Sequence, residues 1–539
     1  MRCERILSAF FASIDLINCA AFKKPKVVVI GCGVSGLELS KNTREIACVL
    51  ISLVNYLVES DKFQVIGLEA RDRVGGRVFT NEKGHETGAA WIHGTQIVHP
   101  DGAVEENPVL TMAKEFIPPS ELFLNSNFMA VHSDGSDLPC DTDIWDGMWT
   151  VLNQIKTSEE AISNAYHPST VSIYDFISTN WIRLFSQVRG HSEKAIVKSV
   201  IEWQSYYATN WETTSIGSMA VDKEFDGDQL LIMNGGYTRL LNRYLDHHDL
   251  RPFIHLNTPV TKIERDSQGC RIFTVNDSVF EADVVVVTVP LGVLKHNGII
   301  FDPPLPQQKQ DSINRLGYGL YDKVFVDFAG PIETEHGGFW QSGIDVIFIV
   351  PKAEDDYREY FRSTAVDDND NYQFNNNNNN NVKRRPYDQR DEGHIGIEMA
   401  NLSPICHCPK IAMLIYDKAA RDMEAIAHDP QLLIEFARSK LQNAFPSSHI
   451  PEIVNVEATR WGMDPYAYGS YANIPLGASG QDMINLSLPV DDKILFAGEA
   501  SCPLHYSTVH GAMKSGRREF ARLMQMFYSQ DENQYQNLL

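Results

Sequence analysis

The sequence predicts an α/β protein built around a Rossmann-like dinucleotide-binding unit with at least one further domain beside it. Three observations carry that prediction. The stretch KVVVIGCGVSGLELSK passes from a β-branched run through Gly31, Gly33 and Gly36 into a helical pattern. A second apolar run, FQVIGLEA, ends on an acid, Glu69. The chain has 539 residues at 43% hydrophobic content, more than one core usually holds.

The first run supplies the strand–turn–helix context that GxGxxG needs. Gly31 makes the turn, Gly33 lets backbone approach a pyrophosphate, and Gly36 packs helix on strand. Ser35 and the helix N-terminus add donors for the phosphates. Glu69 is the expected ribose acid, yet it lies 33 residues beyond Gly36 instead of about 20. Removing the 14 residues Asn42–Asn55 (NTREIACVLISLVN) leaves 19. Residues 42–55 therefore read as an inserted segment or a retained intron, apolar enough to need burial.

Composition narrows the function. The net charge of −23 argues against nucleic acid and favours a cationic small molecule. Nine scattered cysteines do not form a disulfide framework. Cys406 and Cys408 lack a second pair at zinc spacing, so no metal site is expected. No segment reads as a membrane span. The N-terminal ILSAFFASI follows Arg2 and Arg5 but is broken by Asp15, which favours a cytoplasmic location over a secretory leader. Residues 363–394, with their asparagine run, cannot bury apolar area and read as a disordered surface loop.

After Glu69 comes RDRVGGRV, in which Arg71, Gly76 and Arg77 suit a diphosphate with an adjacent isoalloxazine better than nicotinamide. Together with ETGAAWIHG, this string resembles the flavin-containing amine oxidases, and polyamine and spermine oxidases most closely. The resemblance covers roughly residues 25–105, 230–330 and 455–525. It implies FAD and two interleaved units. One is a Rossmann-like FAD domain from 25–105, 230–300 and 455–530. The other is a mixed-sheet α+β substrate domain from 106–229 and 301–454.

The resemblance also implies site residues. Gly88, Ala89, Ala90 and Trp91 would lie along the flavin, and Val260 would meet the adenine through its backbone. LNTPVTKIERD and FEADVVVVTVP read as a strand pair returning to the flavin sheet. ILFAG reads as a strand running into Gly498 and Glu499, ahead of a helix that begins near Thr508 and Val509. The helix amides would stabilise negative charge on the reduced ring. Trp461 and Tyr471 would flank the ring.

Lys323 is the expected catalytic residue. Alone, a lysine where a strand begins reads as an edge residue reaching water. The family places the matching lysine beside flavin N5 through a water, and desolvation there would lower its pKa. His93, Tyr471, Ser507 and Thr508 are implied on the substrate side. The carboxylate that anchors distal ammonium groups is unclear: Thr209 falls nearest its usual position, with Glu212 close by.

The expected activity is FAD-dependent oxidation of spermine, spermidine or their acetylated forms, with O2 as acceptor and H2O2 as product. A histone methyl-lysine demethylase is the enzymatic alternative, although residues 106–229 hold no sustained heptads for its coiled-coil tower. Rab escort or GDP-dissociation proteins share the fold without redox chemistry. The sequence leaves oligomeric state open.

Overall fold

The computed structural model describes residues 24–33, 51–99, 101–124, 128–132, 142–185, 208–332, 346–350, 397–402, 408–444 and 448–528. Ser35, Gly36, the N-terminal segment and the asparagine-rich loop lie outside them.

Five parallel strands form the first sheet, in the order Ile494–Phe496, Val284–Val287, Lys26–Ile30, Gln64–Leu68, Ile254–His255. Val27, Val28 and Val29 are fully buried, as are Val285 and Val286. A parallel strand covered on both faces needs this continuous β-branched run rather than alternation. The helix Ile51–Glu59 covers one face and packs against the long helix Val509–Phe527, with Tyr56 stacked on Phe520 at 4.5 Å. Leu53 and Val54 are fully buried, and Asn55 donates to the Tyr244 hydroxyl at 2.9 Å. The end of the 42–55 segment is therefore core, while residues 42–50 lie outside the described residues.

Two expectations are corrected. Val260–Arg265 does not join the parallel sheet. It pairs with Cys270–Thr274 and Ile300–Asp302 in a separate four-stranded sheet. Only Val284–Val287 returns to the first sheet, because only that strand is apolar at every position. The last strand ends at Phe496 and does not reach Glu499. Gly498 turns the chain at φ +118°, and Glu499–Ser501 forms a short 3-10 turn.

A six-stranded mixed sheet follows the order Ile453–Ala458, Tyr321–Phe328, Lys410–Tyr416, Ile397–Asn401, Val346–Val350, Phe128–His132. Only the last pair is parallel. The helices Asp417–Ile426 and Pro430–Ala444 cover one face with Ala420, Met423, Ala437 and Leu441. Tyr321–Phe328 is an interior strand, paired on both sides. Lys323 therefore cannot be an edge lysine; its ammonium must find partners within the fold.

Candidate active site

The nucleotide end is assembled from the sheet outward. Gly31 leaves the first strand at φ +96°. Glu69 follows the second strand and is buried. It accepts from the Cys32 amide at 2.6 Å and from the Arg71 amide at 2.8 Å. Burial raises its pKa, and these two bonds hold it back toward the anion. Gly33 bridges to Gly75, and a Cβ at Gly76 would sit 3.1 Å from the Gly33 Cα, so the two glycine turns need each other bare. Arg73 donates to the Gly76 carbonyl at 3.0 Å and Arg71 pairs with Asp464 at 2.9 Å. The Thr258 amide donates to the Glu69 carbonyl, which brings the stretch before Val260 beside Glu69.

The opposite end centres on Glu499, which is buried. Arg77 donates to its Oε1 at 2.8 Å and also to the Ser470 carbonyl at 2.6 Å. Its Oε2 accepts from the amides of Ser507 at 3.0 Å and Ala472 at 3.3 Å. A buried carboxylate with this many donors is a satisfied anion. It ties the arginine of the VGGR turn to the start of the last helix. Thr508 caps that helix: its hydroxyl accepts from the Gly511 amide at 2.9 Å and donates to the His505 carbonyl. Ser507 donates to the Ala472 carbonyl. Both hydroxyls expected on the substrate side are thus engaged by backbone, and Val509 opens the helix behind them.

Lys323 lies between these ends. It is buried, and its Nζ donates to the carbonyls of Gly88 at 2.6 Å and Glu86 at 2.8 Å, over the Trp91 ring at 5.3 Å. Gly88 must be glycine, since a Cβ would come within 1.8 Å of the Arg77 carbonyl. The neighbouring Ala89 amide donates to that carbonyl, and Ala90 is buried beside it. Trp461 donates its indole N–H to the Thr87 carbonyl at 2.9 Å. Lys323 and Trp461 therefore converge on one short segment, 86–91, which itself contains Gly88, Ala89, Ala90 and Trp91.

Glu86 is a residue that sequence reasoning missed. Its carboxylate accepts from the Tyr237 amide at 2.8 Å and the Thr80 hydroxyl at 2.9 Å. Burial pushes it up to about 7, while these two bonds and the Lys323 ammonium pull it down. His85, beside it, stacks on Phe325 at 4.3 Å and contacts Glu457 and Lys410, which joins segment 81–88 to the six-stranded sheet. Alternation offered the only available signal for Tyr321: it shares a strand face with Lys323 two residues away. Its ring lies 6.2 Å from that of Tyr471, which pairs with Gly319 in a two-stranded ladder.

His93 follows Trp91–Ile92; burial lowers its pKa, a side-chain bond with Gln229 opposes this, and Lys323 adds to the lowering. Glu212 is half-buried in a turn after Trp211, whose side chain belongs to the cluster with Ile173 and Phe176; Ala208, just before this turn, accepts from the Leu320 amide through its carbonyl.

The site fits a flavin dinucleotide on its donor chemistry. The Trp91 indole N–H and the Tyr318 hydroxyl are buried with no partner among the described residues, one beside Lys323 and one beside Arg77. Buried donors demand acceptors. A polar ring system with carbonyl and ring-nitrogen edges supplies them. Among the described residues no group of three metal-ligating side chains occurs, and no helix is long and apolar enough to cross a membrane.

Comparisons with known proteins bear on the family and the fold. The sequence model described as flavin containing amine oxidoreductase matches residues 55–524. The chain is 27% identical to lysine-specific histone demethylase 1 homolog 3 of Arabidopsis thaliana, over 96% of the chain and 31% of that protein. It is 26% identical to polyamine oxidase 2 of the same plant, over 92% of the chain and 87% of that protein. The chain spans less than two thirds of the demethylase relatives it matches, 58% for homolog 2. Among solved structures, a putrescine oxidase redesigned in cofactor binding aligns over 93% of the chain and 99% of its own, with a TM-score of 0.62 at 17% identity.

Proposed function

The chain belongs to the flavin containing amine oxidoreductases, an FAD-dependent family, and from that premise we propose that it oxidises polyamines with O2, releasing an aldehyde, an amine and H2O2. Bound FAD would supply the acceptor for a hydride from the carbon next to the amine nitrogen and the route of those electrons to oxygen. The remaining work belongs to the chain. Tyr321 and Tyr471, tilted by 41° with ring centroids 6.2 Å apart, form an aromatic wall along which an aliphatic amine would lie and which would attract its cationic neighbours. His93, whose pKa burial and Lys323 lower, offers a substrate nitrogen a hydrogen-bond partner that does not readily take up charge. Lys323 keeps a fixed cation beside segment 86–91, where negative charge develops during reduction of oxygen, and orders the water that hydrolyses the imine.

The observation that carries the reading is Lys323 itself: an interior-strand ammonium held by two carbonyls beside an indole N–H with no partner among the described residues. The polyamine preference is supported by the charge of −23, by His93 and by the likeness to polyamine oxidase 2. A methyl-lysine peptide is the second reading, favoured by the similar identity to the demethylase. The deciding experiment measures H2O2 from spermine, spermidine, their acetylated forms and a methyl-lysine peptide. Peroxide from the free polyamines supports the proposal; peroxide from the peptide alone replaces it.

A further inference from the structure

Asp322 precedes Lys323 on the strand Tyr321–Phe328 and has different partners, as alternation requires. Its Oδ1 accepts from the Thr459 hydroxyl at 2.6 Å and from the Trp461 amide at 3.0 Å. Glu424, on the helix Asp417–Ile426, accepts from the next amide, Gly462, at 2.7 Å. Two carboxyls from different elements therefore hold consecutive amides of one turn. Asp322 is 0% exposed and Glu424 6%. The other Asp322 oxygen, Oδ2, is buried and no donor among the described residues reaches it, although the Glu424 carboxyl lies within hydrogen-bonding reach.

Two ionised carboxylates do not satisfy this arrangement. Neither brings a proton to Oδ2, and like charges in a dry site repel. One proton removes both problems, because it turns the contact into an O–H···O⁻ bond while Oδ1 and Oε1 keep their amide donors. We propose that Asp322 and Glu424 share one proton, and that the pair is a positioning device that fixes Trp461, and through its indole the Thr87–Gly88 segment that holds Lys323. The role in the reaction rests on the reading of that segment as the flavin side of the site.

The groups facing Asp322 fix the sign of its pH response. Glu424 faces it from the helix, Thr459 and the Trp461 amide are neutral donors, the cross-strand neighbour Ile415 is apolar, and Lys323 turns to Glu86 and Gly88. Burial pushes the Asp322 carboxyl up to about 7; the Thr459 and Trp461 bonds oppose this, and Glu424 adds to it. Alkaline pH strips the shared proton, and the turn loosens.

The test uses the purified flavoprotein with Asp322→Asn, Glu424→Gln and Asp322→Ala. Each amide variant keeps the oxygen that accepts from the turn and gives the other carboxyl a permanent N–H donor. Melting temperature and visible circular dichroism of the flavin are followed from about pH 6 to about pH 9. The wild type is expected to lose several degrees relative to both amide variants as pH rises past about 7. Its flavin signal should shift with the same midpoint. Asp322→Ala should melt low throughout. Wild-type and amide variants following one pH course, or Asp322→Asn melting like Asp322→Ala, overturns proton sharing. A melting difference with an unmoved flavin signal overturns the link to Trp461. Failure of the oxidase reading would show separately, as absent peroxide, which none of these readouts requires.

Discussion

At the residue scale, the account turns on two buried charges of opposite sign. Lys323→Met keeps a similar apolar stem but removes the cation and both carbonyl bonds. Turnover should fall by about 10²-fold or more while FAD stays bound, the size expected for losing one preorganised electrostatic group; flavin absorbance and peroxide release on the same preparation check this. Glu86 gives a pH prediction. Its folded pKa is about 7 against 4.5 ordinarily, so the folded state holds its proton longer than the unfolded chain. Stability from this group is complete below about 4.5 and is lost as pH rises through about 7, on the order of 3 kcal/mol. Glu86→Gln, which keeps an acceptor for Tyr237, should flatten that part of the melting profile. A slope unchanged in the variant would assign it to other groups.

At the element scale, the last helix is set by its cap. Thr508→Ala removes the acceptor for the Gly511 amide and should cost about 1 kcal/mol, seen as a lower melting temperature; Thr508→Ser should restore most of it. Segment 86–91 has no slack. Gly88→Ala drives a methyl into the Arg77 carbonyl and should lower FAD occupancy, read from the ratio of visible to ultraviolet absorbance in the purified protein. What the sequence made legible is local in kind. The valine runs, the glycine turns and the helix start at Thr508 each carry their own period or cap. Glu86 was not legible, because its partners Thr80 and Tyr237 are not implied by any spacing. The same holds for Asp322 and Glu424, about a hundred residues apart and brought together over the turn at 461–462. The pairing of Val260–Arg265 was misread for a related reason: strand periodicity reports that a strand exists, not which sheet it joins.

At the scale of the whole molecule, three distant stretches of chain meet at one place. The GxG turn and VGGR come from the N-terminal part, Lys323 from the middle, and Glu499 with the Thr508 cap from the end. Arg77–Glu499 and Lys323–Gly88 are the bonds that cross between them. The negative charge of the chain attracts multivalent amines and should make their capture weaken with salt. A rise in KM for spermine with ionic strength, with kcat little changed, would express this; an unchanged KM would remove long-range charge from the account. The most direct measurement is anaerobic: spermine is mixed with the purified protein and the flavin absorbance is followed. The account predicts a yellow protein that bleaches with the amine and recovers its colour when air is admitted, with release of H2O2. A colourless protein that takes up no FAD, or a bound flavin that every amine leaves oxidised, would contradict it.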